Sequence, residues 1–399
     1  MHGDGTKLGT TTHNPPSARL LDLTRLMRRS GKVLTGVDRV EFAYLRALIQ
    51  DEVPVFGLIR SRLGYILLDQ NGLRDLMPAL SGPAPQDKTD AVRRRTLQHA
   101  RRLAIGRVLP PWLGWMLRRK LPVGVTYLNV GHSNLSARVM RTLARLNVRI
   151  AVLIHDVIPL DLPEFQRDGA VARFASMMAR VGGQADLVIF NSEDTRTKAE
   201  RHWPNPPPSI VAHLGTDIAT PTPDALDKTM LPAAPFFVCV GTIEPRKNHG
   251  FLLDIWEVMG PDAPGLVICG GRGWKNEDVF ERLDALPRDG KIVELEGLSD
   301  GALAALVTQS AGVLFPSLAE GFGLPATEAA ARGVPIIVND LAVFREILGD
   351  IPVYACVSDR YLWMNGITKL VAEWQNTSKL KRFEPPTWGA HFKTVLTLI

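Results

Sequence analysis

The stretch Ser317–Gly333, SLAEGFGLPATEAAARG, limits what this chain can fold into more than any other. It follows Gly312-Val313-Leu314-Phe315-Pro316, an apolar run of the length of one buried strand. Pro325 suits the first turn of a helix, where its missing N–H is one that has no partner anyway. Gly333 suits the left-handed turn that closes such a helix, and Val334–Val338 reads as the next strand. Strand, glycine loop, helix and strand make the repeating unit of a parallel α/β sheet. Gly321 and Gly323 bracket Phe322 in the loop, so a ligand can touch backbone there, and a helix start behind flexible glycines is a good place for a phosphate.

The same unit recurs on both sides of a break. In the first half, Arg19–Thr24 reads as a strand, Thr35-Gly36 as a loop, roughly Val37–Gln50 as an amphipathic helix and Val53–Ile59 as a second strand. Val125–Val130 follows. Arg149–Ile154 ends at His155-Asp156, Ala185–Phe190 ends at Asn191-Ser192, and Ser209–His213 runs into Leu214-Gly215-Thr216-Asp217. Residues 219–235 are rich in proline and lack periodicity. The series then restarts with Phe236–Gly241, Gly265–Gly271 and Lys291–Leu295. A chain of 399 residues is also too long for one ordinary core. The expected organisation is a disordered tail over 1–17, a first α/β domain over 18–222, a linker over 223–235, a second α/β domain over 236–385, and a terminal helix over 386–399 that can pack back on the first domain.

Composition narrows the setting. Cys239, Cys269 and Cys356 have no metal or redox spacing, which suits a reducing cytoplasm. Residues 1–17 are too polar for a signal peptide, and no apolar run is long enough to span a bilayer. The net charge of +6 is modest but uneven. Over residues 91–120, nine Arg and Lys residues occur without an acidic one, interleaved with Leu, Trp112 and Trp115. That mixture suits an interfacial helix on an anionic membrane. A solvated basic helix or a hairpin covering the first core has the same composition, and nucleic acid is a weaker third option without a recognised binding fold around it.

Two clusters carry candidate chemistry. Arg246 and Lys247 are adjacent cations in the loop Thr242–Asn248, at the carboxyl end of a strand, where open α/β sheets bind ligands. A guanidinium fork beside a mobile ammonium suits a diphosphate; a merely basic surface loop reads the same way. Glu320 and Glu328 lie with seven residues between them. Acids near a helix start are commonplace because the macrodipole favours them, yet carboxylates also accept pairs of sugar hydroxyls. His99, His132, His202, His249 and His391 lack ligand spacing and read as structural or surface, and Gly270–Trp274 reads as a left-handed turn or the rim of a pocket.

Glu320-Gly321-Phe322-Gly323-Leu324-Pro325 with Glu328 resembles the E-x7-E motif of retaining glycosyltransferases of the GT-B fold, the family-four or group 1 type. Gly241–Asn248 resembles that family's donor-phosphate loop, and His155-Asp156, Asn191-Ser192 and Leu214–Asp217 match its first half in order. The resemblance implies two Rossmann-like domains whose parallel sheets face each other across a cleft. It implies Arg246 and Lys247 on the donor diphosphate, Glu320 on the transferred sugar and His155 lining the sugar pocket, with these four as the catalytic set. It places Gly36, Gly215, Gly321, Phe322, Gly323, Leu324 and Glu328 on the donor, with Glu328 at the ribose.

The activity so implied is transfer of a hexose, mannose-like by preference, from a GDP- or UDP-linked sugar to a glycan acceptor. The basic segment suggests a lipid-linked glycan in exopolysaccharide or lipopolysaccharide assembly, on the cytoplasmic face of a bacterial inner membrane. No metal, no further cofactor and no nucleic-acid partner are expected. An NDP-sugar 2-epimerase on the same fold, or a sugar-binding protein without turnover, are the alternatives.

Overall fold

The computed structural model describes residues 15–81, 89–287, 290–374 and 383–399; residues 1–14 of the expected tail lie outside it. The first sheet has eight strands: β1 (Ala18–Asp22), β2 (Val55–Arg60), β3 (Tyr65–Leu68), β4 (Gly106–Val108), β5 (Val125–Asn129), β6 (Arg149–Ile154), β7 (Leu187–Phe190) and β8 (Ser209–Val211). Their order is β4-β3-β2-β1-β5-β6-β7-β8. The second sheet has six: β9 (Phe236–Val240), β10 (Gly265–Cys269), β11 (Ile292–Leu295), β12 (Gly312–Phe315), β13 (Ile336–Val338) and β14 (Val353–Tyr354), in the order β11-β10-β9-β12-β13-β14. The two sheets belong to separate cores, and apolar clusters fill both faces of each. Central strands such as β1, β5 and β10 are buried on both sides, as parallel sheets with helices on each face require.

One expectation needs correction. The first sheet is not wholly parallel, because β3 runs antiparallel to β2 and β4 antiparallel to β3. The basic segment supplies this edge. Its helix Thr89–Arg102 turns Leu97 toward the first core, β4 closes the sheet, and the helix Leu113–Lys120 buries Leu113, Met116 and Leu117. Met116 lies against Gly106, where a Cβ would sit 2.9 Å from its sulfur. The other side of the segment is bare: Leu109, Trp112 and Trp115 are 60%, 59% and 56% exposed, next to exposed Arg118, Arg119 and Lys120. No described helix is long and apolar enough to cross a membrane.

The chain ends on the domain where it began. The helix Trp388–Leu396, capped by Thr387, places Val395 in the first domain's core together with Ile399. His391 Nδ1 faces the carbonyls of Ala212 and His213, so its Nε2 accepts the Tyr44 hydroxyl at 2.8 Å. Arg19 donates two bonds to the Ile399 carbonyl.

Candidate active site

The helix Leu324–Ala331 begins where β12 ends. Gly323 takes φ +88 at its N-cap, and a Cβ there would lie 2.6 Å from the Phe344 ring, so glycine is required twice over. No side chain caps this helix start; Pro325 has no N–H and the amides of Ala326 and Thr327 donate to the Gly323 carbonyl at 2.9 and 3.1 Å, so the amide this turn can offer a ligand is that of Leu324. Phe322 and Leu324 are buried in the first domain's apolar cluster, and Phe322 meets the His213 ring edge-on at 6.2 Å. The loop therefore reaches across the cleft.

The loop between β9 and the helix His249–Met259 brings its cations to this point. Lys247 pairs with Glu320, and Arg246 Nη1 lies 3.2 Å from the other oxygen of the same carboxylate. The Ser317 hydroxyl donates to Glu320 at 2.7 Å. Burial alone would raise the Glu320 carboxyl, but Lys247 and Arg246 outweigh it and hold the group at about 2. Arg246 Nε also pairs with Glu244 at 2.7 Å. The two cations are thus already matched by acids, and what they offer a ligand is their remaining N–H groups.

His155 and Asp156 face the same loop from the first domain. A Cβ on Gly321 would lie 2.4 Å from the His155 carbonyl and 3.1 Å from Asp156. His155 Nε2 donates to the Val130 carbonyl at 2.7 Å, and burial, with His132 beside it, drives its pKa well below the usual value. The imidazole is neutral at physiological pH. The Asp156 carboxyl is raised by burial, with Arg246 opposing.

Glu328 sits one turn into the helix, apart from the Arg246–Lys247–Glu320 cluster. Its partner is Arg39 of the helix Gly36–Gln50, at 2.7 Å. A cavity of about 310 Å³ opens beside this pair, walled by Arg39, Asp217, Asp300, Glu328 and Arg332. Gly36 stands near the mouth, with space for a Cβ 3.8 Å from Leu324.

Gly215 packs on the terminal helix, while the next residue, Thr216, reaches the Thr327 hydroxyl beside Glu328 at 3.3 Å. A Cβ on Gly215 would fall 2.3 Å from Trp388, so this glycine serves the seating of the terminal helix. The sequence alone marks no separate role for Glu244, Asp156, Ser317 or Arg39. Glu244 and Ser317 lie inside the two motif loops and Asp156 follows His155, but Arg39 pairs with a residue 289 positions away and carries no local signal.

Hydrogen bonds join the two domains across the cleft. Thr195 donates its hydroxyl to the Gly321 carbonyl at 3.2 Å. Glu346 accepts the amides of Glu193 and Asp194 at 2.7 and 3.0 Å, with His213 at 2.8 Å. On the outer rim, Trp274 donates to the Phe165 carbonyl at 2.8 Å and carries the Arg167 guanidinium 4.6 Å above its ring.

Residues 228–370 match the family model of the glycosyl transferases group 1. A serotype-specific mannosyltransferase WbdA of Escherichia coli is 35% identical over 214 residues, 49% of this chain. The match spans 26% of that protein's own length. The O-antigen chain mannosyltransferase B of Escherichia coli is 26% identical, over 53% of this chain and 58% of its own. Anabaena Alr3699/HepE in complex with UDP-glucose superposes with a TM-score of 0.64 at 14% identity, covering 95% of this chain and 94% of that one. Sucrose-phosphate synthase from Thermosynechococcus elongatus gives 0.62 at 16% identity, over 96% of both chains. At these identities the likeness is one of fold, and the fold is the two-domain GT-B architecture.

Proposed function

We propose, from the match of residues 228–370 to the glycosyl transferases group 1, a retaining glycosyltransferase that moves a mannose-like hexose from an NDP-sugar to a glycan acceptor. The observation that carries it is the convergence of Lys247, Arg246 and Glu320 on an uncapped helix start facing His155 across the cleft. The mannosyltransferase names of two relatives support the choice of sugar.

In the reaction, the bond from the anomeric carbon to the outer phosphate oxygen breaks, and negative charge builds on that phosphate. The remaining N–H groups of Arg246 and Lys247 and the Leu324 amide meet it. Preorganised donors of this kind are worth about 10²–10³ in rate each. The acceptor oxygen attacks on the face the phosphate leaves, and its proton passes to the departing phosphate oxygen, so configuration is kept. Glu320, held ionised, accepts hydroxyls of the transferred sugar. Glu328 accepts the ribose diol. Neutral His155 lines the sugar pocket.

The acceptor we infer is a lipid-linked glycan at an anionic membrane surface. Leu109, Trp112 and Trp115 stand exposed beside Arg118, Arg119 and Lys120, with Arg119 5.6 Å above the Trp115 ring. Apolar side chains ringed by cations match a headgroup layer.

The deciding experiment screens GDP-, UDP- and dTDP-sugars by thermal shift, then measures transfer by the wild type, Lys247→Ala and Glu320→Ala, with the product's anomeric configuration read by NMR. Loss of transfer in both variants and a retained configuration are expected. Transfer near the wild-type rate in both variants overturns the site, and a donor converted without any acceptor overturns the transfer.

A further inference from the structure

Glu328 lies on the second domain, yet its counter-ion comes from the first. Arg39 Nη1 reaches its Oε1 at 2.7 Å, and Arg39 Nη2 pairs with Asp300, the first residue of the helix Asp300–Gln309. One guanidinium thus joins two helices of the second domain to the helix Gly36–Gln50 of the first. All three groups stand in the wall of the same cavity.

Resting on the assignment of Glu328 to the donor ribose, we propose that Arg39 is a positioning residue of the donor site: it holds Glu328 as an oriented carboxylate and ties nucleotide affinity to the closed cleft. Arg39 occupies one lone pair of Oε1, so Oε2 and the remaining pair are free for the two O–H groups of a vicinal diol. A neutral carboxyl would lose part of that acceptor capacity. Burial pushes the Glu328 pKa up, and Arg39 is the foremost group opposing it. The charged groups around Glu328 are Arg39 and Arg46 on the first domain's helix, Asp300 opposite, Arg332 at the end of its own helix, and Asp217 in the connecting chain. Asp300 and Asp217 favour the neutral form, Arg332 the ionised one. When the cleft opens, Arg39 leaves with the first domain, and Glu328 and Asp300 are left facing each other without it. Nucleotide that needs Glu328 ionised therefore favours closure.

Calorimetric titration with GDP, UDP and dTDP between pH 5.5 and 8.5, on the wild type, Arg39→Ala and Arg39→Lys, tests this. The wild type is expected to bind one of the three, with the pH dependence that the diphosphate's own titration at about pH 6 gives every form. Arg39→Ala should bind about 10- to 100-fold more weakly, with the loss growing toward low pH as Glu328 takes a proton. Arg39→Lys should recover most of the affinity. In turnover, the donor KM should rise while kcat moves by less than about threefold. Circular dichroism of both variants checks that they fold. Wild-type affinity and pH profile in Arg39→Ala overturn the proposal, as does a pH-independent loss that Arg39→Lys fails to repair. If the wild type binds none of the three nucleotides, the donor site itself is wrong, and this proposal goes with it.

Discussion

The Lys247 ammonium rests on the Glu320 carboxylate, an ion pair between residues 73 positions apart in the chain. The free Glu320 carboxyl titrates near 4.5 and the folded one at about 2. A depressed carboxyl stabilises the fold fully above the unfolded value, and that contribution is lost as pH falls from about 4.5 toward 2. Its full size is roughly 3 kcal/mol. Urea unfolding of the wild type and Glu320→Gln should show a stability gap that is constant from pH 5 to 7 and closes below 4.5. A gap unchanged down to pH 2.5 refutes the pairing.

Gly321 approaches the His155 carbonyl so closely that a Cβ would lie 2.4 Å from that oxygen. The obstacle is backbone of the opposite domain, and it cannot turn aside like a flexible side chain. Gly321→Ala should therefore part the domains at this point, enlarge the radius of gyration in small-angle scattering and weaken donor affinity, with unfolding stability lowered by about 1–3 kcal/mol. An unchanged scattering profile together with unchanged affinity would refute the contact.

His249 is fully buried, and neither of its ring nitrogens has a hydrogen-bond partner among the described residues. Burial, with Lys247 nearby, drives its pKa to about 3 from 6.5. The unfolded imidazole binds a proton that the folded one refuses, so this residue's contribution is complete above pH 6.5 and lost as pH falls toward 3. His249→Leu should raise stability by about 1 kcal/mol at pH 7, by removing an unsatisfied polar ring. The advantage should grow below pH 6.5 in thermal unfolding. A loss of stability at both pH values refutes this.

The membrane association proposed above would have two contributions on one surface. In co-sedimentation with vesicles containing anionic phosphatidylglycerol, neutralising Arg118, Arg119 and Lys120 together should lower binding by about 1 kcal/mol per charge and remove most of its salt dependence. Trp112→Ser with Trp115→Ser should weaken binding at high salt, where the apolar part remains. If the charge-neutralised protein sediments like the wild type, the surface has another use.

Most strands of both domains were legible because each is a short apolar run that stops at glycine, proline or polar residues, and the stretch Gly312–Val338 folds as strand, glycine loop, helix and strand as its residues require. The antiparallel edge was not. Tyr65–Leu68 is four apolar residues without alternation, and Gly106–Val108 is only three long, so neither carries a period. The basic segment is ambiguous in sequence for a related reason. Its apolar residues divide between Met116 and Leu117 inward and Trp112 and Trp115 outward, and only the packing on Gly106 decides which goes where. At the site, the cations and glutamates were readable as types at spacings. Their mutual neutralisation, and the hold of Arg39 on Glu328, depend on a closure between domains that no local pattern encodes.

The terminal helix has a consequence in time. A ribosome releases the first domain's sheet before the second domain is made, yet Val395 and Ile399 belong to that first core, and Arg19 waits for the Ile399 carbonyl 380 positions later. At ordinary synthesis rates the intervening second domain takes roughly ten to forty seconds to appear. For that interval the side of Tyr44 that His391 and Phe392 cover has no cover, so the first domain's packing is completed only after the second domain has been made.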